Sequence, residues 1–297
     1  MTFITRFAPS PTGPLHLGHA YSAILAHDLA VSRNGQFLLR IEDIDRSRSR
    51  PHWEDQIYDD LSWLGLSWPE PIMRQSERLG VYDKALDELW ARGLLYPCTC
   101  NRKDIAAAAS APQEGAPLHG PDGIIYPGTC REKWRKTSAT DTRAREIPLR
   151  LDIAAAGRSL SGSNHTDAKV GDFQEAGVGP NDETGSVVFT LGELTNTIGD
   201  VVLSRRDMGT SYHLSVVLDD AAQGVTHVVR GQDLFEATRI HVVLQALLGL
   251  PTPQYFHHLL IRDDAGKRLA KRDDARAISK YRAEGATPAD IREMVGL

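Results

Sequence analysis

Cysteine is scarce, positive charge is not in surplus, and no apolar run is long. The 297 residues include three cysteines, Cys98, Cys100 and Cys130. An odd number, with two of them one residue apart, excludes a disulfide framework and points to a reducing, cytoplasmic setting. Lys and Arg total 34 against 39 Asp and Glu, a formal net charge of −5. Overall charge therefore does not announce nucleic acid, although a local basic face can still bind it. No stretch approaches the roughly 18–20 apolar residues of a membrane span. Residues 1–15 lack the basic, apolar and small-residue order of a secretory signal, and no short-period repeat is visible. The length suits a catalytic domain with one or two smaller units around a sizeable core.

What is present is organised around Arg6-Phe7-Ala8-Pro9-Ser10-Pro11-Thr12-Gly13-Pro14-Leu15-His16-Leu17-Gly18-His19. It follows a short apolar start and leads into a stretch through Ala30, where Ile24, Leu25, Asp28 and Leu29 recur at near-helical spacing. The order is strand, Pro/Gly-rich turn, helix. A helix N-terminus offers unpaired N–H groups and a positive dipole end, so it attracts phosphate. His16 and His19 share a side there, and Gly18 lets a flat ring such as adenine approach the backbone. The same residues also fit a plain helix cap. A second strand, Gln36 to Ile41, ends in Glu42-Asp43-Ile44-Asp45. Strand, helix and strand in about 40 residues form a βαβ unit with a parallel sheet. Ligands in such sheets bind beyond the carboxyl ends of the strands, where Arg6 to Ser10 and Glu42 both fall. Glu42 is a candidate for a cationic substrate group, or an ordinary acidic turn.

Helical spacing marks Trp53, Ile57, Leu61 and Leu64, and again a helix opening at Ser76 whose core face is Val81, Tyr82, Leu86, Leu89 and Trp90. Beyond it, Cys98-Thr99-Cys100 and Tyr126-Pro127-Gly128-Thr129-Cys130 form two knuckles that gather every cysteine. Zinc favours four thiolate or imidazole-type ligands in a tetrahedron, and the fourth is Tyr126, His119, water or another group. Glu146 to Leu151 reads as a strand. Residues 154–186, rich in Gly, Ser, Asn and Asp, read as a mobile surface insertion. A helix follows with Tyr212, Leu214, Val217 and Leu218. Then comes a second strand–turn–helix, Val225 to Leu248, with Arg230 at the strand's carboxyl end as Arg6 is at the first. Near the end, Lys267-Arg268-Leu269-Ala270-Lys271-Arg272 makes a basic turn suited to polyphosphate, and a short helix spans about Pro288 to Val295.

These pieces, in this order, resemble the class I aminoacyl-tRNA synthetases in their glutamyl form. Residues 6–19 look like the first signature (HIGH) of that family. Arg40-Ile-Glu-Asp-Ile-Asp45, Tyr212 with Val216-Val-Leu-Asp-Asp220, and Val229-Arg-Gly-Gln-Asp233 resemble the glutamyl subfamily, and Arg268-Leu-Ala-Lys271-Arg272 stands where the second signature (KMSKS) belongs. The resemblance covers the chain except 154–186. It implies an α/β fold: a Rossmann-like, doubly wound parallel sheet with an inserted zinc-containing, acceptor-binding type of subdomain and a short helical end. The expected divisions are 1–95 and 197–250 for the halves of the catalytic domain, 96–196 for the insertion and 251–297 for the second signature and C-terminal helices.

The resemblance also implies roles. Arg6, Phe7, Ala8, Pro9, Ser10, Glu42, Tyr212 and Arg230 would form a glutamate pocket. His16, Gly18, His19, Arg268, Leu269 and Lys271 would bind ATP, with His16, His19 and Lys271 catalytic. Cys98, Cys100, Tyr126 and Cys130 would hold one structural Zn2+, with Tyr126 preferred over His119 because it lies four residues before Cys130. Mg2+ is expected with ATP. The second signature departs from the family in Ala270, which removes a hydroxyl, and in Arg268, which keeps charge but not shape. The chain carries no counterpart, after Arg272, of the large helical anticodon-binding domain of full glutamyl-tRNA synthetases. That layout is similar to a group within the subfamily that activates L-glutamate with ATP without tRNA and transfers it to the queuosine base in the anticodon loop of tRNA(Asp). The expectation is thus a cytoplasmic, monomeric enzyme with L-glutamate, ATP and queuosine-containing tRNA(Asp) as substrates and no membrane partner. A truncated enzyme charging tRNA(Glu) is the alternative within enzymes, and a non-catalytic paralogue binding tRNA or adenylate is the alternative outside them.

Overall fold

The computed structural model describes residues 2–109, 119–121, 123–135, 142–143, 145–261 and 276–297. Its first strand, Ile4–Phe7, pairs in parallel with Gln36–Ile41, which pairs in parallel with Met73–Arg74. The connecting helix Leu17–Ser32 buries Leu17, Ala20, Ala23, Ile24, Ala26 and Ala30. The buried face is therefore mostly alanine, which lets the helix sit close to the sheet, while Leu25, Asp28 and Leu29 of the expected stripe lie only partly buried. Helices Pro51–Trp63 and Leu79–Ala91 follow; the second starts after a short 3-10 turn at Gln75–Glu77 rather than at Ser76. Its core face is Tyr82, Ala85, Leu86 and Leu89, and Val81, expected inside, is exposed.

The second half rebuilds the sheet. Strand His227–Gly231 pairs in parallel with Gln254–His258. It lies beside the first strand, where the Thr226 amide donates to the Ile4 carbonyl at 3.0 Å and the Ile4 amide donates to the Thr226 hydroxyl at 2.8 Å. Helices Tyr212–Ala222 and Ala237–Leu247 cover this half. The carboxyl ends of the four central strands, at Phe7, Ile41, Gly231 and His258, thus open on one side.

The reading of 154–186 as a mobile surface insertion needs correction. It contains helix Ile153–Ser161 and strand Lys169–Glu175, which lies against Gln254–His258 in parallel and pairs antiparallel with Gly185–Thr190. Phe173, Val187 and Phe189 enter the main core. The misreading has a physical cause: many small polar residues mask a short two-residue alternation of buried and exposed positions along 169–175 and 185–190.

A separate antiparallel sheet, in the order Val202–Ser204, Leu149–Leu151, Leu95–Pro97, leads to the cysteine knuckles. Asp200 pins this region to the rest. Its carboxylate accepts from the Tyr96 hydroxyl at 2.5 Å, the Arg131 guanidinium at 2.8 Å and the Ile153 amide at 3.0 Å. At the other end, helices Ile278–Ala283 and Pro288–Val295 dock on the first βαβ unit. Ile278, Ile291 and Val295 join its core, and Arg292 forks onto Asp28 at 2.6 and 3.1 Å. No helix among the described residues is long and apolar enough to cross a membrane.

Candidate active site

A cavity of about 520 Å³ opens at the carboxyl ends of the central strands. Arg6, Phe7, Ala8, Ser10, His16, Gly18, His19, Glu42, Tyr212 and Arg230 all line it, so residues far apart in sequence, expected in the glutamate pocket and the ATP site, are brought to one space. Pro9 is not among the lining residues; its carbonyl accepts the Glu42 amide at 3.0 Å and so ties the first turn to the second strand. Arg268, Leu269 and Lys271 lie outside the described residues. The chain on either side of them is fixed at this cavity, with Leu260 and Ile261 in its wall and Ala277 bridged to His16.

The two histidines form an imidazole version of a capping box. His16 is the N-cap and its Nδ1 accepts the Gly18 amide at 3.1 Å, while His19 Nδ1 accepts the His16 amide at 3.2 Å. Because both Nδ1 atoms accept, each neutral ring carries its proton on Nε2. Their ring centroids are 3.8 Å apart. Both rings line the cavity at this helix end. A Cβ on residue 18 would fall 3.1 Å from the His16 ring, so glycine permits this arrangement.

The opposite wall is a buried charge cluster. Arg6 grips Asp220 through Nε at 3.0 Å and Nη2 at 3.3 Å, and no group among the described residues accepts from its Nη1. Arg40, fully buried, donates to Asp220 at 2.6 Å, to Gln223 at 2.9 Å and to Glu42 at 3.2 Å. Burial pushes Asp220 up, but the Arg6 and Arg40 guanidinium groups outweigh it and hold its carboxyl below the usual range. Burial dominates at Glu42 and holds its carboxyl above its usual value despite Arg40 and Arg6. Burial likewise raises the Tyr212 hydroxyl, so it acts as a neutral group.

Arg230 is held from three sides. Its Nε donates to His257 Nε2 at 3.1 Å, its Nη1 to His241 Nδ1 at 3.1 Å, and its Nη2 to the Thr238 hydroxyl at 2.7 Å and the Leu234 carbonyl at 3.2 Å. Four of its five donors are thereby engaged among the described residues, leaving the second N–H of Nη1.

In the knuckles, the sulfur atoms of Cys98, Cys100 and Cys130 lie within 4.8 Å of one another. The Tyr126 hydroxyl stands 3.5 Å from Cys100 Sγ and accepts the Cys130 amide at 2.8 Å. Zinc–sulfur bonds of about 2.3 Å in a tetrahedron space sulfurs by about 3.8 Å, and the Cys100–Cys130 sulfur separation is 3.4 Å. The donors thus fit a metal of zinc's size and preference. His119, in the small hairpin His119–Gly120 with Gly123–Ile124, is not part of the cluster.

Sequence reasoning missed several residues that build the site. Arg40 and Asp220 stood in quoted motifs without a role. Ser22, Asp233 and His258 line the cavity, and His241, His257 and Thr238 hold Arg230. A polar residue inside an otherwise apolar strand or helix face, as at Arg40, was the available signal.

A family model described as the catalytic domain of class I tRNA synthetases (E and Q) matches residues 2–297. The glutamyl-Q tRNA(Asp) synthetase of Rhodobacter capsulatus is 62% identical over 294 residues, covering 99% of this chain and 100% of that protein. The protein of the same name from Symbiobacterium thermophilum is 41% identical over 297 residues, with 96% of this chain and 83% of that protein covered. Among solved structures, a glutamate tRNA ligase from Elizabethkingia meningosepticum in complex with its amino acid superposes with a TM-score of 0.71 at 24% identity. That match covers 100% of this chain and 61% of the ligase, and at such identity it is a likeness of fold.

Proposed function

The chain belongs to the class I tRNA synthetases for glutamate and glutamine, and from that premise we propose that it activates L-glutamate with ATP, without tRNA, and passes it to the queuosine base of tRNA(Asp). The observation that carries the amino acid and the chemistry is the cavity itself. It sets Arg6 and Arg230 against Glu42, beside the two imidazoles of the helix cap. The identity of 62% to a glutamyl-Q tRNA(Asp) synthetase, over the full length of both chains, supports the acceptor.

The steps follow from charge. Arg6 Nη1 and the remaining Nη1 N–H of Arg230 meet the side-chain carboxylate of glutamate, and Glu42 takes its ammonium group. Glutamine carries an amide in place of that carboxylate, so it would leave buried guanidinium N–H groups without an anionic partner. The α-carboxylate oxygen then attacks the α-phosphorus of ATP, forming glutamyl-adenylate as the bond to pyrophosphate breaks. Such a displacement needs alignment and charge neutralisation more than covalent help. His16 and His19 donate from Nε2 to phosphate oxygens, and Lys271 neutralises the pyrophosphate. Mg2+ enters as the complex of ATP. In the second step a cyclopentene hydroxyl oxygen of queuosine attacks the glutamyl carbonyl, the bond from that carbon to the phosphate oxygen breaks, and AMP leaves as the hydroxyl proton is released.

Zinc, held by Cys98, Cys100, Cys130 and Tyr126, would cross-link the two knuckles and supply no chemistry to these steps. We place the enzyme in the cytoplasm as a monomer. The test is glutamylation of tRNA(Asp) with and without queuosine, beside tRNA(Glu). Product on queuosine-containing tRNA(Asp) alone is expected. Charging of tRNA(Glu) alone refutes the proposed acceptor, and glutamate-dependent pyrophosphate exchange absent in the intact protein refutes the enzyme reading.

A further inference from the structure

Residues 154–186 carry none of the signature motifs, although the family match spans them; their strand Lys169–Glu175 ends beside Tyr255 of the strand Gln254–His258, whose last residue lines the cavity. Glu175 is 3% exposed, and its two oxygens have different partners. Oε1 accepts two main-chain amides, Gly177 at 2.8 Å and His257 at 2.9 Å. Oε2 accepts from His257 Nδ1 at 2.5 Å. His257, 1% exposed, then accepts Arg230 Nε on its other nitrogen at 3.1 Å. The opposite side is built alike: His241 accepts Arg230 on Nδ1 and stands 3.1 Å from His213 Nδ1 through Nε2.

An arginine only donates, so each imidazole facing Arg230 must turn a lone pair toward it. For His257 that requires the Nδ1–H tautomer, and a carboxylate, which only accepts, enforces it. The segment is seated closely enough to hold this geometry. The Ala176 amide donates to the Tyr255 carbonyl at 2.7 Å and the Val178 amide to the His257 carbonyl at 3.1 Å. A Cβ on Gly177 would fall 2.3 Å from the His257 carbonyl oxygen. Gln232, just past the strand of Arg230, donates back to the Val178 carbonyl at 2.7 Å.

We propose that Glu175, at the end of the strand Lys169–Glu175, is a positioning residue for glutamate specificity: by fixing the tautomer of His257 it aims the Arg230 guanidinium at the substrate carboxylate. The inference rests on the glutamate reading given above. It gives the segment a place in substrate selection, where the motifs alone give it none.

Glu175→Gln isolates the effect. The two main-chain amides pin the glutamine oxygen, so its NH2 group faces His257 Nδ1. The ring must then accept there, moves its proton to Nε2 and turns an N–H toward Arg230. The KM for L-glutamate in ATP–pyrophosphate exchange should rise tenfold to about a hundredfold, the loss of one aligned charge-assisted hydrogen bond. The KM for ATP should stay within about twofold, because His16 and His19 are untouched. Nitrogen-15 spectra of the imidazoles should show His257 protonated on Nδ1 in the parent and on Nε2 in the variant. In a double-mutant cycle with His257→Asn, the second substitution should add little to the first. An unchanged tautomer with an unchanged glutamate KM overturns the proposal, as does an equal rise in both KM values. Absence of exchange with L-glutamate in the parent protein would instead refute the functional reading beneath it.

Discussion

Asp220→Asn tests the charge balance of the cavity wall. Four buried groups, Arg6 and Arg40 against Glu42 and Asp220, sum to zero charge, and Asp220 alone contacts both arginines. At an effective dielectric near 20, each guanidinium–carboxylate pair with centres about 4 Å apart is worth about 4 kcal/mol before desolvation. Removing one partner of a buried pair leaves the other uncompensated, and the observed cost of that is about 3–5 kcal/mol. Against a whole-domain stability of about 5–15 kcal/mol, the variant should fold with a much lower urea midpoint and an unchanged slope. Arg6 also loses the carboxylate that orients it, so the KM for glutamate should rise while the KM for ATP holds. Adding Arg6→Met should recover part of the lost stability, because Arg6, which pairs with Asp220 while Arg40 keeps Glu42, is the cation left unpaired. A loss below about 1 kcal/mol would refute the reasoning, as would a double variant less stable than Asp220→Asn.

Other outcomes follow from the same geometry. Glu42 has a raised pKa, so protonation is favoured in the folded protein and lowering the pH from neutrality removes the carboxylate proposed to meet the substrate ammonium; the KM for glutamate should climb in that direction, and a flat profile would remove Glu42 from that role. Burial pushes Asp60 up to about 6 against a single bond from Gln56, so its folded form holds a proton that the unfolded chain gives up near 4. Stability should therefore fall as the pH rises from about 4 to 6, and Asp60→Asn should raise stability above pH 6 by about 1–2 kcal/mol in thermal unfolding. For the knuckles, Cys98→Ser should lower bound zinc and the melting temperature; metal content equal to that of the parent would mean that the ligands are others.

Much of the frame was legible because it is local. The Pro/Gly turn before His16, the alternation of apolar strands and helices, and the clustering of cysteines each lie within a few residues. Arg6, Glu42 and Arg230 could be placed at strand ends because parallel sheets put their sites there. The supporting network was not legible. Nothing near Arg40 says that its partner is Asp220, 180 residues away, and Arg6 meets the same carboxylate across 214 residues. Glu175 was hidden among Gly, Ser and Asn residues whose composition reads as loop, although its strand is short, half-buried and set by contacts with residues 255–257. Helix faces made of alanine weakened the periodicity on which the first helix was judged.

The placement of strand Lys169–Glu175 also bears on how copies of this chain keep apart. Without the hairpin formed with Gly185–Thr190, the strand Gln254–His258 would become the border of its sheet, with main-chain groups open to pairing by another molecule. Excising 166–190 would therefore invite association between copies as well as unsettle Arg230. Glu175, Gly177 and His257 form one packed unit at that border, because a single carboxylate gathers two main-chain amides and one imidazole.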